Sequence, residues 1–111
     1  MKSLSHTFSA LGDDTRLRLV EHLIEHGETP AGDLTGLAGI SAPAVSRHLK
    51  VLRNAGILEQ RAKGTHRYYR VRPEAVRAIS DWTIDRRDFW EGSLDRLDAL
   101  LALDPDKETF E

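Results

Sequence analysis

A mainly α-helical domain with one small β-hairpin is the fold class that the sequence predicts, and three observations predict it. Segments up to Gly56 carry helix caps and apolar residues at spacings of three and four. Two strand-like runs then flank Lys63-Gly64-Thr65. A capped apolar stripe follows from Pro73 to about Leu103, with Pro105 just beyond it. Helix, tight turn, helix and hairpin in succession make a winged helix-turn-helix, here extended by a long C-terminal helix.

The elements follow in order. "FSALG", Phe8 to Gly12, closes a short first helix. Asp13 caps a second, whose apolar residues include Leu19, Val20 and Leu23 and which ends at Gly27. Thr29 as N-cap and Pro30 at the first helical position open a third, with Leu34, Leu37 and Ile40 at intervals of three. Its glycines, Gly32, Gly36 and Gly39, each weaken it by up to about 1 kcal/mol. Ser41 caps the fourth helix, Pro43 sits in its first turn, and Gly56 ends it. In the hairpin, Tyr69 and Val71 alternate with basic residues, as one packed face requires.

The last helix is too long for its own core. About 30 residues span roughly 45 Å, whereas a compact domain of this size has a radius of gyration near ~13 Å. Its stripe of Val76, Ile79, Trp82, Phe89, Trp90, Leu94, Leu97 and Leu101 is interrupted only by Asp85-Arg86-Arg87-Asp88. Val76 and Ile79 are assigned to the domain's own core. From Trp90 to Leu101 the simplest cover is the same helix of a second subunit. The 111 residues are thus expected to form one domain, 1–111, with residues 73 to about 103 serving dimerisation.

Charge is segregated along the chain. Between Ser41 and Arg72 there are eight basic residues and one acid, Glu59, a net +7, while the rest of the chain carries −9 for a total of −2. Such segregation is the footprint of a polyanion-binding face. The major groove of B-DNA admits one α-helix, read by the N-terminal part of the second helix of a helix-turn-helix. With Val45, Leu49 and Leu52 packed inward, Ser41, Ala42, Ser46, Arg47 and Lys50 are the candidates for the groove side. Arg61, Lys63, Thr65, His66 and Arg67 of the hairpin are candidates for phosphates or a neighbouring minor groove.

The segments "FSALGDDTRLRLV", "SAPAVSRHLKVLRNAGIL" and "RAKGTHRYY" together resemble the ArsR family of dimeric winged-helix transcriptional repressors, over roughly residues 5 to 72. The resemblance implies that the first and last helices form the dimer, which adds Phe8 and Leu11 to Phe89, Trp90, Leu94, Leu97 and Leu101. It implies a homodimer on an imperfectly palindromic double-stranded operator, released by an effector whose identity is open. It places Ser41, Pro43, Ala44, Ser46, Arg47 and His48 on the recognition-helix motif. Metal-sensing members carry a cysteine pair at the third helix or an Asp/His/Glu set on the last. Here there is no cysteine, and residues 73–111 hold no histidine. The ending "FWEGSLDRLDALL" resembles members encoded beside START-like or stress-related proteins, which implies an inducer other than a simple metal ion.

Other functions lack their residues. His22 and His26, at i, i+4 beside Glu21 and Glu25, are the one residual metal candidate, and the same spacing describes an ordinary exposed helix face, so no metal and no cofactor are expected. No nucleophile with a base, carboxylate pair or phosphate-cradling glycine loop marks an enzyme. No run of 18 apolar residues or signal-peptide core is present, so a cytoplasmic protein without membrane contact is expected. The main competing reading is a winged-helix adaptor for proteins, which has no need of the +7 segment.

Overall fold

The computed structural model describes residues 3–103. In chain order the elements are α1 (Leu4–Leu11), α2 (Asp14–His26), β1 (Thr29–Pro30), α3 (Ala31–Ala38), α4 (Ala42–Asn54), β2 (Leu58–Lys63), β3 (His66–Val71), α5 (Pro73–Asp85) and α6 (Arg87–Leu103). The chain divides into two compact units, one through Ile79 and one from Ser80 onward, with the boundary inside α5. Pro105 lies outside the described residues.

The caps read from sequence are in place. Asp13 accepts from the Arg16 backbone N–H at 3.0 Å, and Gly27 ends α2. Ser41 accepts from the Ala44 N–H at 3.3 Å, and Pro43 lies in the first turn of α4. Ser41→Ala is expected to cost about 1 kcal/mol of stability by orphaning that N–H, measurable as a shifted urea midpoint. At the other end of α4, the Gly56 N–H donates to Arg53 O and the Ile57 N–H to Leu52 O, both at 3.0 Å. This is a Schellman cap, and Gly56 takes its left-handed position at φ 79°. Leu52 and Ile57, brought together across it, are both fully buried.

The start of α3 differs from the sequence expectation. Thr29 and Pro30 are not its N-cap and first residue. They form β1, an extended pair that lies antiparallel to β3 with Thr29 opposite Tyr69 and Pro30 opposite Tyr68. Pro30, at φ −72° and ψ 150°, is itself the cap residue of α3 and makes no side-chain cap bond. The Thr29 hydroxyl donates instead to Gly27 O at 2.9 Å. A proline with no N–H to donate is tolerated because β1 is an edge strand. The sheet order is β1-β3-β2. Strands β2 and β3 pair from Leu58 opposite Val71 to Lys63 opposite His66, and Gly64, at φ 62°, takes the first position of the two-residue loop.

The core of the first unit gathers Leu19, Val20 and Leu23 of α2, Leu34 of α3, Val45, Leu49 and Leu52 of α4, and Ile57, Leu58 and Tyr69 around the sheet. All three residues of the expected α4 stripe are therefore buried.

In the second unit the predicted long helix is interrupted at one residue, Arg86. Its Nη1 donates to Trp82 O at 3.1 Å and its guanidinium lies 4.6 Å from the Trp82 ring centre. Trp82 O is the carbonyl the Arg86 N–H would meet in a continuous helix; here that N–H bonds Thr83 O instead, at 3.2 Å. Helix α6 buries none of its residues.

Candidate nucleic-acid interface

Burial of Val45, Leu49 and Leu52 fixes the rotation of α4 about its axis. Ser41, Ala42, Pro43, Ser46, Arg47 and Lys50 are accordingly exposed. A hydroxyl, a methyl group, a guanidinium and an ammonium thus share one exposed side of the helix. Those are the donors and apolar contacts suited to base edges and phosphates. The Ser41 hydroxyl is engaged as the cap acceptor, which leaves its proton to donate outward.

His48, which the resemblance places on the recognition-helix motif, is half-buried. Its Nδ1 lies 3.3 Å from Arg16 Nη1 and 3.9 Å from Asp13 Oδ2 at the start of α2. A guanidinium only donates, so the imidazole accepts through Nδ1 and carries its proton on Nε2. The Arg16 backbone N–H first, and with it the Arg16 charge, hold the Asp13 carboxyl below the ordinary carboxylate range. What this group adds to stability is therefore present above the ordinary carboxylate pKa and lost as acid protonates it. Arg18 makes a second brace, its Nη2 donating to Leu37 O at the end of α3 at 3.1 Å.

The hairpin sorts its charges by height. Midway along β2, Arg61 pairs with Glu28; near the base Arg70 pairs with Glu59, while Arg72 Nε stands 3.9 Å from Glu59 Oε2. Arg61 also lies over the Tyr68 ring at 5.5 Å. On the opposite face of β2, the Gln60 amide, oriented with its oxygen toward Arg53, accepts from both of its terminal nitrogens at 3.1 and 3.2 Å and donates to Tyr69 Oη at 2.9 Å. Toward the tip, Lys63, Thr65, His66 and Arg67 are exposed.

Of the eight cations between Ser41 and Arg72, four have internal partners and four have none among the described residues: Arg47, Lys50, Lys63 and Arg67. The uncommitted four lie on exposed α4 and at the hairpin tip, so Arg61 of the candidate set is the one already held by a carboxylate. Glu28, 33 residues from Arg61 in the chain, was not visible as its partner in the sequence. Lys63→Ala or Arg67→Ala is expected to weaken DNA binding on all sequences alike. Each should make the slope of log affinity against log salt shallower by about 1, as titrations at several salt concentrations would show.

The rings of His22 and His26 stack with centres 4.3 Å apart, and His26 Nδ1 donates to His22 O at 3.2 Å. Among the described residues, no group of three or more His, Asp or Glu side chains is placed to hold a metal ion.

Residues 13–60 match the family described as "Bacterial regulatory protein, arsR family". The chain is 36% identical to the HTH-type transcriptional regulator Rv2034 of Mycobacterium tuberculosis, over 95% of this chain and 94% of that protein. It is 42% identical to the arsenical resistance operon repressor of Escherichia coli, over 85% of this chain and 78% of the relative. Among solved structures, the homodimeric winged helix-turn-helix DNA-binding domain Mb0332 of Mycobacterium bovis, a possible ArsR-family regulator, superposes with a TM-score of 0.63 at 25% identity, covering 76% of this chain and 80% of that one. The family match runs from the cap of α2 through α4 into β2, and the relatives extend it along most of the chain: the protein belongs to the ArsR family of bacterial regulatory proteins.

Proposed function

We propose that the protein is a sequence-specific transcriptional repressor that binds double-stranded operator DNA as a homodimer in the cytoplasm and lets go when an effector binds. The observation that carries this reading is the placement of the four uncommitted cations, Arg47 and Lys50 on the exposed side of α4 and Lys63 and Arg67 at the hairpin tip. The two-fold symmetry of a dimer asks for an imperfect palindrome with half-sites about one helical turn, or a multiple of it, apart. Support for the dimer comes from the unburied apolar side of α6 and from the homodimeric Mb0332 domain. Repression follows the E. coli relative's named role. No helix among the described residues is long and apolar enough to cross a membrane. Catalysis is no part of the reading.

Filter binding to mixed genomic DNA at two salt concentrations tests it. Retention that falls steeply with salt is expected, because phosphate contacts release counterions. No retention, or retention indifferent to salt, would favour the adaptor.

The relatives named for arsenical resistance make the effector a sharp question. With no cysteine in the chain, low-micromolar arsenite, cadmium or zinc is expected to leave operator affinity unchanged. A metal-induced loss of roughly tenfold, abolished by His22→Ala or His26→Ala, would contradict this and assign sensing to the stacked pair.

A further inference from the structure

Arg16 joins three helices. Its Nε donates to Ala10 O on α1 at 2.6 Å and its Nη1 to His48 Nδ1 on α4 at 3.3 Å. That uses two of the five N–H groups of a guanidinium, and the other three meet no hydrogen-bond acceptor among the described residues. The same half-buried guanidinium lines a cleft of about 370 Å³ with His6, Ser9 and Ala10 of α1 and Val51, Asn54 and Ala55 of α4. The lining combines a cation, a hydroxyl, an amide and an imidazole with the apolar Val51, Ala10 and Ala55. No carboxylate lines it. Asp13, the acid whose charge Arg16 feels, is engaged by the Arg16 backbone N–H.

We propose that this cleft binds a small organic anion, a carboxylate on a short apolar body, with the carboxylate on the free edge of Arg16 and the body against Val51. A volume of about 370 Å³ lies within the range of small-ligand pockets. A guanidinium edge offers a carboxylate two parallel hydrogen bonds, stronger than the neutral-acceptor bond it gives His48. An anion there pulls on the same guanidinium that holds His48, and a shift of Arg16 toward it loosens the brace between α2 and α4. That consequence rests on the repressor reading, in which it lowers operator affinity by roughly five- to 150-fold, the usual span of coupling between sites.

Amide NMR spectra of the full chain, titrated to millimolar levels with benzoate, phenylacetate or hexanoate, and with benzyl alcohol as the neutral control, test binding without any DNA. Saturable shifts at His6, Ser9, Val51 and Asn54 are expected with at least one acid, none with the alcohol, and none in Asn54→Asp, which sets a carboxylate on the exposed wall of the cleft. Absence of such shifts with all three acids, equal shifts with the alcohol, or undiminished shifts in Asn54→Asp would overturn the site. The acid that binds should then weaken operator binding in the wild type and not in Asn54→Asp, each compared with its own acid-free affinity. Binding in the cleft with operator affinity unchanged would overturn the coupling. A wild type that binds no genomic DNA even without acid would remove the repressor reading and leave the NMR result standing.

Discussion

In sedimentation at micromolar concentration the wild-type protein is expected to run as a dimer, and Leu97→Asp as a monomer. Trp90, Leu94, Leu97 and Leu101 recur at intervals of four, three and four, the spacing of a coiled-coil seam. They are between 44% and 59% exposed, too much apolar surface on one helix side to leave in water. Phe89 stands beside the seam with its ring edge-on to Trp90 at 5.3 Å. An Asp at 97 places a charge in the middle of that seam, where it has no cationic partner on the apolar stripe and must be desolvated for the dimer to form. Loss of a central anchor of this kind costs about 2 kcal/mol or more, roughly 30-fold in the dimer dissociation constant. Because one monomer reaches only one half-site, operator affinity should fall toward that for random DNA. A wild type that sediments as a monomer would remove the dimer and the palindrome together.

Arg47→Ala is expected to weaken binding to the best operator by about 1–3 kcal/mol and to relax the preference at one base pair per half-site. Arg47 is exposed on the second turn of α4, one residue before His48, which faces α2, and two before Leu49, which is buried. The packed side of the helix thus aims the Arg47 guanidinium outward, with no acid within salt-bridge distance among the described residues. Its planar fork matches guanine O6 and N7, so its loss removes a contact that depends on the base. Arg47→Lys should recover much of the affinity and little of the preference, since an ammonium keeps the charge without the bidentate geometry.

Much of this was legible in the sequence because it is local. Asp13 and Ser41 cap the helices they precede, Gly56 closes α4, and Val45, Leu49 and Leu52 are buried as their spacing demands. What escaped is paired across distance or lies in a local break of the backbone ladder. Strand β1 exists only because Thr29 and Pro30 meet Tyr69 and Tyr68, far along the chain, while the local residues read equally well as the start of a helix. Arg16 and His48 are 32 residues apart, so the brace that turns His48 inward has no sequence signature. At the break the Arg86 N–H bonds Thr83 O, a local change in the backbone ladder that a periodicity of apolar residues does not register. The charge count was right in sign, but Glu28 and Glu59 neutralise Arg61 and Arg70 of the hairpin, and the effective face is narrower than +7 suggests.

That narrowing makes the division of labour between α4 and the hairpin tip the central claim, and one measurement addresses it directly: affinities of wild type, Arg47→Ala and Lys63→Ala for cognate and scrambled duplexes across a range of salt. The expected result is that Arg47→Ala loses discrimination between the two duplexes. Lys63→Ala should keep that discrimination, bind both more weakly, and show a log–log salt slope shallower by about 1. Arg47→Ala with sequence preference intact, together with Lys63→Ala that destroys it, would contradict the account and make the hairpin the reader.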